Sequence, residues 1–329
     1  MNSKENIFKY EPDTIQDSNL NFYYGITSCL ANISDNKNSL TETLERRYKN
    51  NLDFIFITEH NSLIKAEVKY KSARISKWAY FMTTIKKYSK KHLRPIAVIG
   101  FESKTHKWGN LNILNSKNYF DGEVKNLSLL LLWMLVNEDG MIFIDHSHKP
   151  SDVMPYNPLL NKFIISVKVR RSHYFKYYYE LLDAGWKLGV VSSQDDSQDS
   201  ENLTCIISNK LNKNSLFESF RKRRTYFTES KTLKAYFTIN GYFMGDIINK
   251  GDFQTLDIFI FLQDFKYKIN KFEIIANNEQ ILKVSGNVNL YKIKYFVKIP
   301  FSRSITWLLV KIYQDNNKIA LTSPIFLTH

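Results

Sequence analysis

The sequence predicts a parallel α/β core, closed or nearly so, followed by a small antiparallel β-sandwich. Three observations lead there. From about Asn21 to Thr228, short continuous apolar runs of the kind shown by buried parallel strands alternate with helical stretches. Those stretches carry helix start and stop signals. Beyond about Lys231 the pattern changes to β-rich runs separated by polar turns, with no convincing helix between them.

Taken in order, a polar lead of residues 1–20 gives way to the apolar Asn21–Tyr24 and then to the loop-like GITSCLANISD. Ser39-Leu40-Thr41-Glu42 is a capping box that opens a helix to about Asn50. Leu52–Thr58 is a buried strand, and a long helical stretch follows from about Leu63 to Lys91 with neither Gly nor Pro inside it. Pro95–Phe101 and Leu111–Leu114 are strands, Glu123–Asn137 is an apolar helix stopped by Gly140, and Met141–Ile144 and Phe163–Val167 are strands. Tyr174–Asp183 is a helix stopped by Gly185, and Leu188–Val191 a strand. A second capping box, Ser215-Leu216-Phe217-Glu218, opens a helix that ends in the basic run RKRR. AYFTI, TLDIFIFL, KFEIIA, KYFVKI and TWLLVKIY then supply the sandwich. The expected organisation is a lead (1–20), a core domain (21–230) and a sandwich domain (231–329), the last folding separately beyond a junction near Thr228–Lys231.

A hydrophobic fraction of 43% is ample for a core and argues against wholesale disorder. The net charge of +14 invites an anionic partner. Lys and Arg are nevertheless spread over both proposed domains instead of forming one stripe with interleaved aromatics, so no specific nucleic acid is expected. Cys29 and Cys205 cannot make a disulfide framework, which fits a reducing compartment. The N-terminal residues show no apolar signal region, and the longest apolar run, Leu127–Val136, falls far short of the ~20 residues a membrane helix needs. The expectation is a soluble, cytoplasmic protein with no membrane partner.

In α/β barrels chemistry sits at the C-terminal ends of strands. Those positions here hold Glu59-His60, Glu102, Asp145-His146 and Asp195-Asp196. Carboxylates and imidazoles at four separate strand ends converge on one pocket, as metal-dependent hydrolysis requires.

The residues around these positions resemble a known family. YYGITSCLANISDNKNS followed by LDFIFITEHN is similar to the opening of the PHP (polymerase and histidinol phosphatase) superfamily, especially the branch of metallohydrolases related to carbaryl hydrolase. VIGFES, WGNLNILN, FIDH, SSQDDS, RRTYFT, INGYFMGD and TSPIF extend the resemblance from Tyr23 to Phe326. It implies a distorted PHP-type (β/α) barrel and hydrolysis of a small-molecule phosphoester or related ester by metal-activated water. On matching positions it implies Asp35, His60, Glu102, His146 and Asp195 as metal ligands, with Glu102, His60 and Asp195 closest to the catalysis. Other ligand positions are lost: Ser28 and Leu30 stand where the family has histidines, as do Asn110 and Ser197. Imidazole is thus missing from several subsites, so a divalent ion (Mn, Mg or Zn) is expected at partial occupancy at most, and activity is expected to be weak or altered. The alternatives are a catalytically inactive barrel kept as a binding or scaffold protein, and a nucleic-acid-processing accessory protein.

Blander roles stand beside these. His60 and His146 could be buried histidines satisfied by carbonyls, although their motif context favours ligands. Glu102 is harder to explain so, because a buried unpaired carboxylate is costly; a cation could have replaced the metal, and Lys168, where relatives often carry Glu, is a candidate for that and for substrate contact. His148 is a compensating ligand or a solvated loop residue. Arg223 and Arg224 could grip a substrate phosphate, or could serve the dipole of the preceding helix.

Overall fold

A computed structural model describes residues 20–29, 40–145, 152–170, 174–193, 202–249 and 253–328. The first part comprises β1 (Asn21–Ile26), α1 (Leu40–Lys49), β2 (Phe54–His60), α2 (Asn61–Ile64), β3 (Glu67–Tyr70), β4 (Ala73–Ser76), α3 (Lys77–Lys91), β5 (Ile96–Lys104) and β6 (Asn110–Leu114). It continues with α4 (Leu127–Val136), β7 (Met141–Asp145), β8 (Ile164–Val169), α5 (Phe175–Asp183), β9 (Gly189–Ser192), β10 (Leu203–Ser208), α6 (Lys213–Arg221) and β11 (Thr225–Thr228). Strands follow, with one 3-10 turn at Asp315–Asn317: β12 (Lys234–Ile239), β13 (Tyr242–Phe243), β14 (Ile247–Asn249), β15 (Thr255–Gln263), β16 (Ile269–Ala276), β17 (Gln280–Val284), β18 (Lys292–Pro300), β19 (Trp307–Gln314), β20 (Ile319–Thr322) and β21 (Ile325–Thr328). The fold is mixed α/β and mostly sheet, with six α-helices among the described residues.

The principal sheet runs β11-β10-β1-β2-β5-β6-β7-β8-β9 through the first part. Side chains alternate faces along a strand, and one face of this sheet gathers Phe54 and Phe56, Val98, Leu114, Met141 and Phe143, Val191 and Ile206 into a single cluster. Phe220 of α6 joins it, its ring centroid 5.2 Å from that of Phe56 and 5.3 Å from that of Phe143. With Ile165 of β8, which belongs to the same cluster, seven strands therefore share one apolar interior. Continuing each column by steps of two leads from these residues to His60, Glu102, Asn112 and Asn110, Asp145 and Ser193. The apolar layer is the floor on which the polar strand ends stand.

The two ends of this path meet without a ladder. Thr27 Oγ1 donates to the Ser192 carbonyl, Ser192 N donates to Thr204 Oγ1 at 2.7 Å, and Thr225 Oγ1 donates to the Val190 carbonyl at 2.9 Å. Ser323, between β20 and β21, accepts from Val190 N at 3.0 Å and lies 2.9 Å from Thr225 Oγ1. Gly189 makes this close approach feasible, since a Cβ there would come within 3.0 Å of Ser323 Oγ.

Several elements differ from expectation. The core is not all parallel: β6 runs antiparallel to both β5 and β7, and β10 antiparallel to β1. The five residues between β5 and β6 are too few for a parallel crossover, which needs a dozen or more. The stretch 63–91 is not one helix but α2, the antiparallel hairpin β3–β4 and α3. Lys71 (φ 55°) turns the hairpin without glycine, and Ser76 caps α3 by accepting from Ala79 N. Asn212, not Ser215, caps α6; Ser215 closes its capping box as the third helical residue. Ser39 of the first predicted box lies outside the described residues.

The C-terminal strands divide between a four-stranded sheet, β13-β12-β15-β18, and an extension of the principal sheet in which β20 pairs antiparallel with β11. The junction is buried: Thr228 and Ser230 are shielded, and Asp264 accepts from Ser230 Oγ, Thr232 Oγ1 and Gln314 Nε2 at 2.5–2.8 Å. On α4, Leu130 and Met134 are buried while Leu129, Leu132, Leu135 and Val136 face outward and are exposed. No helix among the described residues is long and apolar enough to cross a membrane.

Candidate active site

His60 and Glu102 face each other across β2 and β5, Glu102 faces Asn112 across β5 and β6, and Asp145 faces Asn110 on one side and Lys168 on the other. The register thus sets a polar row across five strands. The side chains form a continuous chain of contacts. His60 Nδ1 lies 3.1 Å from Glu102 Oε1. Asn110 Nδ2 donates to Glu102 Oε1 at 2.9 Å and Asn112 Nδ2 to Glu102 Oε2 at 3.1 Å. Lys168 Nζ donates to Asn112 Oδ1 at 3.3 Å and pairs with Asp145 Oδ2. Ser193 Oγ donates to the same Asp145 oxygen at 3.3 Å, and Arg170 Nε donates to Ser193 Oγ at 3.2 Å.

Burial opposes ionisation of Glu102, but the hydrogen bond from His60 and the positive charge of Lys168 outweigh it, leaving the carboxyl below the ordinary glutamate range. That hydrogen bond to Glu102 raises the His60 imidazole above its ordinary value, against a smaller opposing effect of burial. Burial raises Glu59. Lys168 is enclosed, with 1% of its side chain exposed, whereas 38% of the His60 side chain reaches solvent. The row therefore has a sealed inner end at Lys168–Asp145 and an open outer end at His60.

Of the residues expected from sequence, His60, Glu102, Asn110 and Lys168 come together here. Ser28 lies just past β1 and is half-buried. Asp35, Leu30, His146, His148, Asp195 and Ser197 lie outside the described residues. Arg224 does not join the row. It sits at the N-terminal end of β11, where it donates to the Met244 carbonyl and to Asp246 Oδ1, the latter at 2.7 Å, and covers the Phe243 ring. Arg223 donates to the Gly245 carbonyl at 2.9 Å. Both arginines are occupied by the turn after β13, which is a physical reason against a substrate contact.

Asp145, one of the strand-end carboxylates expected from sequence, belongs to the row as well; Asn112, Ser193 and Arg170 belong to it although sequence alone did not single them out. Asn112 carried a usable signal: two positions after Asn110 in one strand, it must share that residue's face.

The described donors do not suit a divalent ion. Both oxygens of Glu102 accept from amide or imidazole N–H groups, Asn110 presents its NH2 group to the carboxylate, and Asp145 faces an ammonium. No group of three or more His, Cys, Asp or Glu side chains among the described residues is placed to hold a metal.

The class of fold is supported by a solved structure. Over 95% of this chain and 94% of the other, the protein is similar to a two-domain protein from Bacteroides vulgatus containing a predicted PHP-like metal-dependent phosphoesterase, with a TM-score of 0.51 and 14% identity. A weaker similarity, to PsfC from Pseudomonas syringae, covers 62% of this chain and 90% of that one with a TM-score of 0.43 and 13% identity. No protein-family model matches the chain, and no curated protein sequence matches it. The fold is PHP-like.

Proposed function

We propose that this protein descends from PHP-type phosphoester hydrolases and retains weak or altered hydrolytic activity toward a small phosphoester or related ester. In this reading the strands from β1 to β11 form a distorted (β/α) barrel and β12–β21 an appended sandwich. The observation that carries it is the His60–Glu102 pair standing at neighbouring strand ends above an apolar floor, on a PHP-like fold. His60 Nδ1–H is directed at Glu102, so the neutral ring presents Nε2 toward solvent as a proton acceptor. Glu102, hydrogen-bonded by Asn110 and Asn112 and kept ionised by His60 and Lys168, fixes the tautomer and stabilises the imidazolium that forms. Such general base action contributes about 10²- to 10⁴-fold, well below what a metal centre supplies, which is why low turnover is expected.

A second reading, a catalytically silent binding or scaffold protein, is favoured by the Lys168–Asp145 pair, which neutralises the inner pocket. Phosphomonoester and phosphodiester hydrolysis by the wild type, His60→Gln and Glu102→Gln separates the two. Turnover above background that both substitutions abolish supports the hydrolase. Activity that survives both belongs to a contaminant and leaves the binding reading.

A further inference from the structure

We propose that the ammonium of Lys168 is a tethered substitute for a divalent ion, so that this pocket holds its carboxylates together without metal. The inference deepens the hydrolase-descent reading and rests on it, because two carboxylates on β5 and β7, facing one pocket from either side of β6, are what a pocket once built for cations would leave.

Three features converge on Lys168. Its side chain is enclosed on β8, between Val167 and Val169, so that the charge cannot reach solvent. Its Nζ occupies the space in front of Asp145 Oδ2, where a divalent ion would bind carboxylate oxygen at about 2.0–2.2 Å. Through Asn112 it is joined to the second carboxylate: Asn112 Oδ1 accepts from Lys168 and Asn112 Nδ2 donates to Glu102 Oε2. One amide thus relays a single fixed positive charge between two anions that are otherwise separate. The same polarity explains Asn110. An amide at that position donates to Glu102, as a neutral pocket needs, whereas a ligand would turn an acceptor toward a metal.

A divalent ion and the ammonium compete for one place, so exchanging Lys168 for a carboxylate should exchange one cation for the other. Untagged, chelator-treated wild type, Lys168→Glu and the double variant Asp145→Asn/Lys168→Met are to be titrated with Mn²⁺, Mg²⁺ and Zn²⁺. The readouts are thermal midpoint and elemental content after desalting. Wild type is expected to show no rise in midpoint and well under one ion per chain. Lys168→Glu is expected to bind Mn²⁺ at least tenfold more tightly and to gain thermal stability as it does. The double variant, with neither charge, is expected to fold and to ignore all three ions. One ion retained per wild-type chain overturns the proposal, as does a Lys168→Glu protein that no ion stabilises, or a double variant that requires metal. These outcomes are independent of turnover. Absence of hydrolysis by the wild type would defeat the hydrolase reading while leaving the metal behaviour of Lys168→Glu to decide this one.

Discussion

Truncating Lys168 to methionine while Asp145 remains would remove one side of a buried ion pair. Breaking a buried pair in this way typically costs about 3–5 kcal/mol, and Lys168→Met is expected to lose that much in urea denaturation. The outer end of the row should respond to pH instead. Glu102 is held below its ordinary 4.5, so its contribution is complete above that value and is lost as pH falls through the lowered folded value. His60 is held above its ordinary 6.5, so its contribution is complete below that value and is lost as pH rises through the raised one. The pair stabilises fully between about pH 4.5 and 6.5. The difference in thermal midpoint between wild type and His60→Gln should be largest in that window and shrink toward alkaline pH. A difference that does not change with pH would show that His60 contributes only by packing.

Asp264 ties the junction between the first part of the chain and the later strands through Ser230, Thr232 and Gln314. Asp264→Ala leaves those donors buried without their acceptor and should cost about 3 kcal/mol. It should also open the segment at Lys231, whose Nζ is held by the Asn50 and Asn51 carbonyls. Trypsin should then cut there in the variant faster than in wild type, and equal rates would show the tie to be dispensable. On α4, Leu130→Ala should cost about 2–5 kcal/mol, whereas Leu132→Ala, at a side chain 61% exposed, should stay within about 0.5 kcal/mol. The contrast also shows what sequence can carry. An apolar run such as LSLLLLWMLV announces a helix but not which side is covered, because nearly every position is apolar. Strands β2, β5 and β7 were legible because their runs are buried on both faces and end on ionisable residues. The hairpin β3–β4 was not, since neither Gly nor Pro marks it and its turn uses Lys71 at positive φ. His60 and Glu102 were legible as neighbours from their strand ends. The partnership of Lys168 with Asp145 depends on the register of β7 against β8, which the apolar runs do not record, and its contact with Asn112 on the reversal of β6, which only the short link after β5 implies.

Across the whole molecule, the seam at β9 joins residues from distant parts of the chain through hydroxyl groups in place of a backbone ladder. Gly189→Val would push into Ser323, Ser166 and Thr225, whose oxygens lie 3.0–3.2 Å from the position of a Cβ. Overpacking of this kind costs about 1–3 kcal/mol, and the Val190 amide, which donates to Ser323, should lose hydrogen-exchange protection with it. Unchanged protection would mean that the seam is held elsewhere. Ser323 also bears on how the chain is made. Synthesis runs from the N-terminus, and domains made early usually fold while the rest is still being added. Here the strands from β1 to β11 emerge with one side of their seam missing its partner, because Ser323 is made long after Val190 and Thr225. The nascent protein therefore carries an open edge beside Val190 and Thr225 until Ser323, 98 residues beyond Thr225, has been made.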